Sequence, residues 1–485
     1  MAASVKSAAR SDWLILAALT VLAVLVRVVG LHQRTADLII FVGWYTKMSS
    51  IGVWRSLGVE VGNYNAPFLY VLAFAHYLPG AIIIKIKTAW MIFDVLLAFF
   101  TFKIVKLKWP SGRIPVAATL IMVLLPTVVI NASYYGQMDS MWASFAVGGV
   151  YFLLRGRYWW GVSLCTVAFA LKPQGMFIFP LVALLILAGY VPWRSLLVAP
   201  LVYVGLDIPA IALGRHPIEL LTIYSPGRQE QNMPLLASRA PSVYAFVGTS
   251  AKQVEAVWQL GYLFTAALVL GICYVLVVRR VALTKERIVS AAALFVILMP
   301  FFLPGMHERY FFLADVMTVL LVFFRPRLWF VPLLVQSSSL LAYQSYLFRS
   351  PGVPAITPMR LGAGLMLAAI LAIGYDLLRD ALRPSAQIEE TPTAQTAAVE
   401  QAKPVTDGTT RPREKPEPVQ SATGKDHRRS PSLTPAPAKT SRFSRHPRGG
   451  RLDQAPRTGR QYPSGDPPWR LSCDSYFGSL PVRLS

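Results

Sequence analysis

Long apolar runs alternate with short polar breaks along most of this chain. Each run approaches the roughly twenty residues that a membrane-crossing helix needs. The pattern predicts spans at 13–31, 88–106, 114–131, 139–155, 158–172, 175–191, 195–213, 257–278, 288–303, 310–324, 328–344 and 359–378, about twelve in all. The shorter ones must lean on neighbouring helices or a thinned bilayer. "APFLYVLAFAHYLPGAIIIKIK", at 66–87, is also apolar, but Pro79-Gly80 breaks it. It is expected as a re-entrant or interfacial helix over 66–80. Beyond residue 383 the pattern stops, and Pro, Ser, Thr, Gln, Lys and Arg take over. The expected organisation is an all-α polytopic transmembrane bundle at 1–383, followed by a disordered basic cytoplasmic tail at 384–485. No 20–50-residue repeat and no pair of similar halves is visible.

Charge then sets the orientation. With the N-terminus inside, the inner loops carry Lys108 and Arg113, Arg155 and Arg157, Arg194, Arg279 and Arg280, and Arg325 and Arg327. Arg379 and Arg383 begin the tail. Basic inner loops are what the positive-inside rule requires. A full crossing by 66–87 would invert everything after it. The outer side receives 32–87, 132–138, 173–174, 214–256, 304–309 and 345–358.

Composition narrows the class. The chain is 54% hydrophobic with mean hydropathy +0.48, which excludes an ordinary soluble protein of 485 residues. Its formal charge of +23 lies in inter-span loops and the tail, so nucleic acid is not the expected partner. Cys165, Cys273 and Cys473 have no metal-ligand or redox spacing. The first apolar run carries Arg27 and lacks a clear A-x-A site, so it reads as a retained helix rather than a cleaved leader.

The candidate chemistry falls on the outer loops. In "RTADLIIFVGWYTKM", Asp37, Phe41, Trp44, Tyr45 and Met48 share one helix face. A half-buried carboxylate there suits a general base, and the plainer role is a helix cap. Asn63, Tyr64 and Asn65 form a polar turn able to bind sugar hydroxyls. In "NASYYGQMDSMW", Gln137 and Asp139 open a helix, where Asp139 could also serve as a cap. Lys172, in "LKPQG", sits at an outer boundary, where it either binds a phosphate or snorkels to the interface. His307, Glu308 and Arg309 enter the span at 310–324. HExxH would need a second His where Phe311 stands, so zinc is not indicated, while Arg309 could clamp phosphate oxygens. Arg27, Asp94, Asp207 and Asp315 lie within spans; Arg27 and Asp94 could simply pair.

In order along the chain, "ADLIIFVGWY", "GNYNAPFLYVL", "YYGQMDSMW", "ALKPQGMFIFP" and "LPGMHERYFFLADV" resemble the bacterial relatives of the second GPI mannosyltransferase, in the GT-C superfamily. The resemblance covers roughly residues 12–380. It implies a multi-pass plasma-membrane hexosyltransferase with a polyprenyl-phosphate sugar donor, mannose by the family's habit, and outer-face chemistry. It implies that Asp37 is the catalytic carboxylate and that Gln137 and Asp139 belong to a second-loop acidic motif. Lys172, Gln174, His307, Glu308 and Arg309 would line the donor side. Asn63, Tyr64 and Asn65 would meet sugar or acceptor, a glycan, lipid or protein. Many members of the superfamily carry an Asp/Glu pair in the first outer loop, but Asp37 stands between Ala36 and Leu38. A divalent metal stays open but has no adjacent carboxylate pair to support it, and no other cofactor is indicated. Two other classes are a lipid-linked sugar transporter or flippase, and an oligosaccharide polymerase or ligase. A transporter predicts inverted repeats and a charged midplane path, neither of which the sequence shows.

Overall fold

A computed structural model describes residues 2–225, 228, 235–247, 254–347 and 356–379. The expected tail at 384–485 lies outside the described residues. What is described is mostly helical. The one departure from all-α among the described residues is a two-residue parallel pairing of Ala237–Ser238 with Met306–His307.

Helix Lys285–Phe302 runs through the core, and its side chains from Ile288 to Phe301 are all buried. A helix apolar on every side belongs at the centre of a bundle. Phe312–Phe324 packs beside it and is nearly as buried. At the rim, Val198–Ala212 and Val254–Val278 leave large apolar side chains uncovered, Leu201 at 71% and Leu263 at 67% exposure. Among the described residues, Trp193–Ala212, Glu255–Val278 and Met359–Leu378 are long and apolar enough to cross a membrane. Ile114–Leu124 and Pro126–Tyr135, bent by 48° at their junction, make a fourth when counted as one span.

Helix length and composition therefore give fewer crossings than the twelve expected from apolar runs. Several runs are cut short by their own residues. The expected span at 114–131 breaks at Pro126, whose ring forbids helical continuation and pushes Leu125 into an extended ψ of 124°. The run at 175–191 starts as a 3-10 turn, Pro173–Ile178, before Phe179–Leu187 becomes α-helical. The segment expected to re-enter forms helix Ala66–Ala75, buried in the core, followed by a turn. Ten residues rise only about 15 Å, half the hydrocarbon thickness. The next helix, Ile82–Val105, starts six residues earlier than the expected 88.

Arg27 pairs with Asp94 at 2.9 Å, which is the plainer of its two readings. The guanidinium also donates to the carbonyls of Ala23 and Val123, and Ser140 donates to Asp94. One buried pair thus joins Ala2–Gly30, Ile82–Val105, Ile114–Leu124 and Asp139–Leu154. Asp139–Leu154 also packs tightly on Tyr158–Leu171. A Cβ at Gly149 would come within 2.5 Å of Cys165 Sγ, so glycine permits this approach.

Candidate active site

Asp37 lies in the first turn of helix Ala36–Ile51, but it is not the cap. Thr35 takes that role, accepting from Leu38 N at 3.2 Å while its hydroxyl donates to Tyr135 O at 2.7 Å. This leaves the Asp37 carboxylate free of backbone duty. Gln137 Nε2 donates to its Oδ2 at 2.6 Å, and Arg309 Nη1 lies 3.0 Å from the same oxygen. The Tyr346 hydroxyl donates to Oδ1 at 3.4 Å. The side chain keeps 19% exposure.

That exposure faces a cavity of about 470 Å3. Of the expected site residues, Asp37, Asn63, Tyr64, Gln137, Gln174, His307 and Arg309 line it, and Asp37 is the one carboxylate among the lining residues. Trp44 and Tyr64 meet edge to face at 5.5 Å on one wall, with Phe41 behind Trp44. Three buried polar atoms of the lining have no partner: Gln137 Oε1, Gln174 Oε1 and Arg309 Nε. Buried polar atoms are rarely left unpaired, so two acceptors and one donor here await a polar partner, ordered water or a ligand.

Arg309 also reaches Glu308 Oε1 at 3.0 Å, and the Tyr135 hydroxyl donates to that same oxygen. Burial opposes the Arg309 charge, but Asp37 and Glu308 outweigh it and hold its pKa well above the ordinary value. Burial, reinforced by Arg309, pushes the His307 imidazole down to about 3. His307 is therefore neutral at physiological pH, able to donate through one ring nitrogen and accept through the other.

The structure moves four expected contacts behind the cavity. Asp139 is not a helix cap either: the cap position is Met138, which makes no side-chain bond. The Asp139 carboxylate instead accepts from Asn131 Nδ2 at 2.8 Å, Trp142 Nε1 at 2.9 Å and Lys172 Nζ at 2.5 Å. Lys172 is fully buried in this pair, so it neither lines the cavity nor snorkels outward. Glu308 is buried behind Arg309. Asn65 caps helix Ala66–Ala75 through Oδ1 at 2.8 Å from Ala66 N, and its amide reaches Asp207 at 3.4 Å. Among the described residues no group of three or more His, Cys, Asp or Glu converges as a metal site.

Sequence reasoning missed Lys87 and Tyr346. Lys87 is fully buried, and its ammonium donates to the carbonyls of Gly30, Gln33 and Ser133 at 2.8, 2.8 and 2.6 Å. The Gly30 and Ser133 carbonyls lie in the last turns of two helical segments, where exposed carbonyl dipoles favour a cation, and the Gln33 carbonyl lies in the loop after the first. Lys87 thus ties together the two loops that carry Asp37 and Gln137. A lysine inside "IIIKIKTAW" was the available signal. Gly136, at φ +76°, turns the second loop inward beside Leu38 and Lys87, where a Cβ would be crowded. Tyr346 was assigned to an outer loop, but it belongs to the last turn of Val331–Leu347. The polar-aromatic "YQSY" offered no helical signal strong enough to place it.

The cavity does not end at its polar walls. Pro173, Gln174 and Tyr310 also line a second cavity of about 320 Å3. That one shares Phe169, Met176 and Tyr224 with a third, of about 960 Å3, walled almost wholly by apolar side chains. Residues of the rim helices, among them Val204 and Leu270, belong to that wall. No protein-family model matches this chain, and no curated protein matches it in sequence.

Proposed function

We propose that this chain is a polytopic membrane glycosyltransferase of about twelve crossings, transferring a hexose, mannose by resemblance, from a polyprenyl-phosphate donor to an acceptor on the outer face. The shorter apolar helices, among them Leu14–Gly30, Tyr158–Leu171, Pro173–Leu187 and Phe312–Phe324, would supply the crossings that the three long helices leave uncounted, while Ala66–Ala75 re-enters without crossing. One observation carries the reading: a polar cavity with a single carboxylate and unpaired hydrogen-bonding atoms joins, through shared residues, a large apolar cavity. That arrangement suits an amphiphile with a hydroxylated head and a long hydrocarbon tail. The sugar would place hydroxyls against Gln137 Oε1 and Gln174 Oε1, with its C–H faces on Trp44 and Tyr64.

The chemistry follows from the Asp37–Arg309 geometry. Asp37 accepts the proton of the attacking acceptor hydroxyl, whose oxygen bonds to the anomeric carbon. The bond from that carbon to the phosphate oxygen breaks, and its electron pair stays on the phosphate. Arg309 stabilises that charge with Nε, which has no protein partner. Attack opposite the leaving phosphate inverts the anomeric centre. Lys172 and Asp139, as a buried ion pair, brace the wall and do not touch the phosphate.

The test is transfer of labelled mannose from polyprenyl-phosphate mannose by the purified protein in lipid vesicles. Loss of donor label into water or an added glycoside supports the reading. A wild-type protein that consumes none of the donor overturns it.

A further inference from the structure

Phe169, Met176 and Tyr224 line both the cavity of about 320 Å3 and the apolar one of about 960 Å3, so they form the neck where the two meet. Of these three, Tyr224 alone carries a hydrogen-bonding hydroxyl. That hydroxyl accepts from Asn65 N at 3.1 Å and donates to the carbonyls of Ala170 and Leu171, each 3.2 Å away. Its ring meets Phe169 edge to face at 5.6 Å.

The two backbone stretches joined by this hydroxyl both lead into the polar cavity. Asn65 directly follows Gly62, Asn63 and Tyr64, which line that cavity. Its side chain is already committed to Ala66 N and Asp207, so its backbone N–H is the group that ties the turn to Tyr224. Leu171 leads through Lys172 into Pro173 and Gln174, which also line the polar cavity. One phenol therefore holds the loops of Tyr64 and Gln174 with its hydroxyl, and faces the apolar passage with its ring. Such a bridge is only as firm as the ring's rotamer. A hydrocarbon chain running through the neck packs on the ring and restricts it to the rotamer that keeps these bonds. A chain that ends short of the neck gives no such support.

We propose that Tyr224 is a positioning residue that couples the donor's tail to its head. A long chain in the neck fixes Tyr224 and, through Asn65 and Leu171, the loops that place Tyr64 and Gln174 around the sugar. The proposal rests on the glycosyltransferase reading for the identity of that head, and it adds tail length as a control on turnover. Binding energy from an unreacting part of a substrate that orders the reacting centre appears in kcat, not in KM alone.

Two measurements test it on the full chain in vesicles. The first needs no catalysis: polyprenyl phosphate without a sugar is added, carrying either a single isoprene unit or a full-length chain. Amide hydrogen exchange is followed in the peptides containing Asn65 and Gln174. The long chain should slow exchange there by about fivefold or more relative to the short one, and Tyr224→Phe should remove the difference. The second compares kcat for mannosyl donors with the same two tails. Wild type should turn over the long donor about fivefold or more faster, roughly the worth of one net hydrogen bond. Tyr224→Phe keeps the ring in the neck but breaks the bridge. It should bring that ratio to about one while long-donor KM stays within about twofold of wild type. Met176→Leu alters the same neck without touching the bridge, so it should keep the ratio and serves as the folding control. Equal exchange with both lipids in wild type overturns the coupling and leaves the glycosyltransferase reading standing. So does a long-to-short ratio that Tyr224→Phe leaves intact, as a merely structural tyrosine would. A wild-type protein that consumes neither donor overturns the glycosyltransferase reading alone, and the exchange measurement then decides the coupling.

Discussion

Asp37 and Asp139 are built from the same parts and end up unlike. Each carboxylate accepts from a side-chain amide, Gln137 at 2.6 Å for one and Asn131 at 2.8 Å for the other. Each faces a cation, Arg309 at 3.0 Å and Lys172 at 2.5 Å. Asp139 adds the Trp142 indole and is sealed, with 1% exposure. Asp37 keeps 19% and opens onto a polar cavity. Each carboxylate has three side-chain partners out of the roughly four hydrogen bonds it can accept, so exposure to a cavity, not spare bonding capacity, sets the two apart. On the proposed function, the aspartate open to a cavity is the one that reacts and the sealed one braces the fold.

The largest effect should come from Asp37→Asn. The substitution keeps size and most hydrogen bonding but removes basicity, and a positioned base contributes about 10²–10⁴-fold. Sugar transfer should fall by that order with normal membrane insertion, because Arg309 still has Glu308 as an anionic partner. Activity within about threefold of wild type, less than any positioned base contributes, would put both aspartates in the bracing class.

Lys172→Met should act on stability instead. Removing one member of a buried pair costs about 3–5 kcal/mol, since the other charge is left alone. The thermal midpoint in detergent should drop sharply, and Lys172→Met combined with Asp139→Asn should recover much of it. A single variant that keeps its midpoint but loses transfer would return Lys172 to the chemistry.

Arg309→Lys comes next. Lysine keeps the charge but loses the planar fork of donors that lets Arg309 serve Asp37, Glu308 and a phosphate together. One lost charge-assisted bond costs roughly 10- to 100-fold in rate, and Arg309→Ala should be worse. Wild-type transfer by the lysine variant, measured per inserted protein, would reduce Arg309 to an interfacial anchor.

His307 should give the smallest effect. Its imidazole stays neutral in the folded protein down to about pH 3, whereas an unfolded chain protonates near 6.5. Its contribution to stability is therefore complete above pH 6.5 and declines as pH falls from there toward 3. His307→Gln should flatten the acid side of a stability–pH curve and leave the transfer–pH profile unchanged between about 6.5 and 8, where the residue is already neutral. A shifted profile in that window would make His307 a proton carrier.

The sequence made parts of this legible and hid others for physical reasons. Charge and apolar runs were enough to single out Asp37, Gln137 and Arg309, which line one cavity, because inter-span loops carry little else. The Arg27–Asp94 pair was also foreseen, since two opposite charges inside apolar runs have few other ways to exist. Lys172 was misjudged because a lysine at a span boundary looks the same whether it meets water or Asp139. The partner that decides lies 33 residues away. Asn65 looked like a sugar contact and is a helix cap, a role set by Ala66 and Pro67 immediately after it. Tyr346 depended on contacts more than 200 residues distant along the chain, which no local pattern encodes.

On the proposed function, the shared walls of the three cavities that run from Asp37 to the rim helices carry a kinetic consequence. A lipid that enters between rim helices and parks only its head at Asp37 never leaves the two-dimensional phase in which it diffuses. The concentration that governs turnover is then the number of donor molecules per unit of bilayer area, not per litre. Diluting the donor with inert phospholipid at constant total amount should slow the reaction, while diluting the whole vesicle suspension with buffer should not. The spent carrier returns to the same plane, so as it accumulates it competes with fresh donor for the same apolar passage.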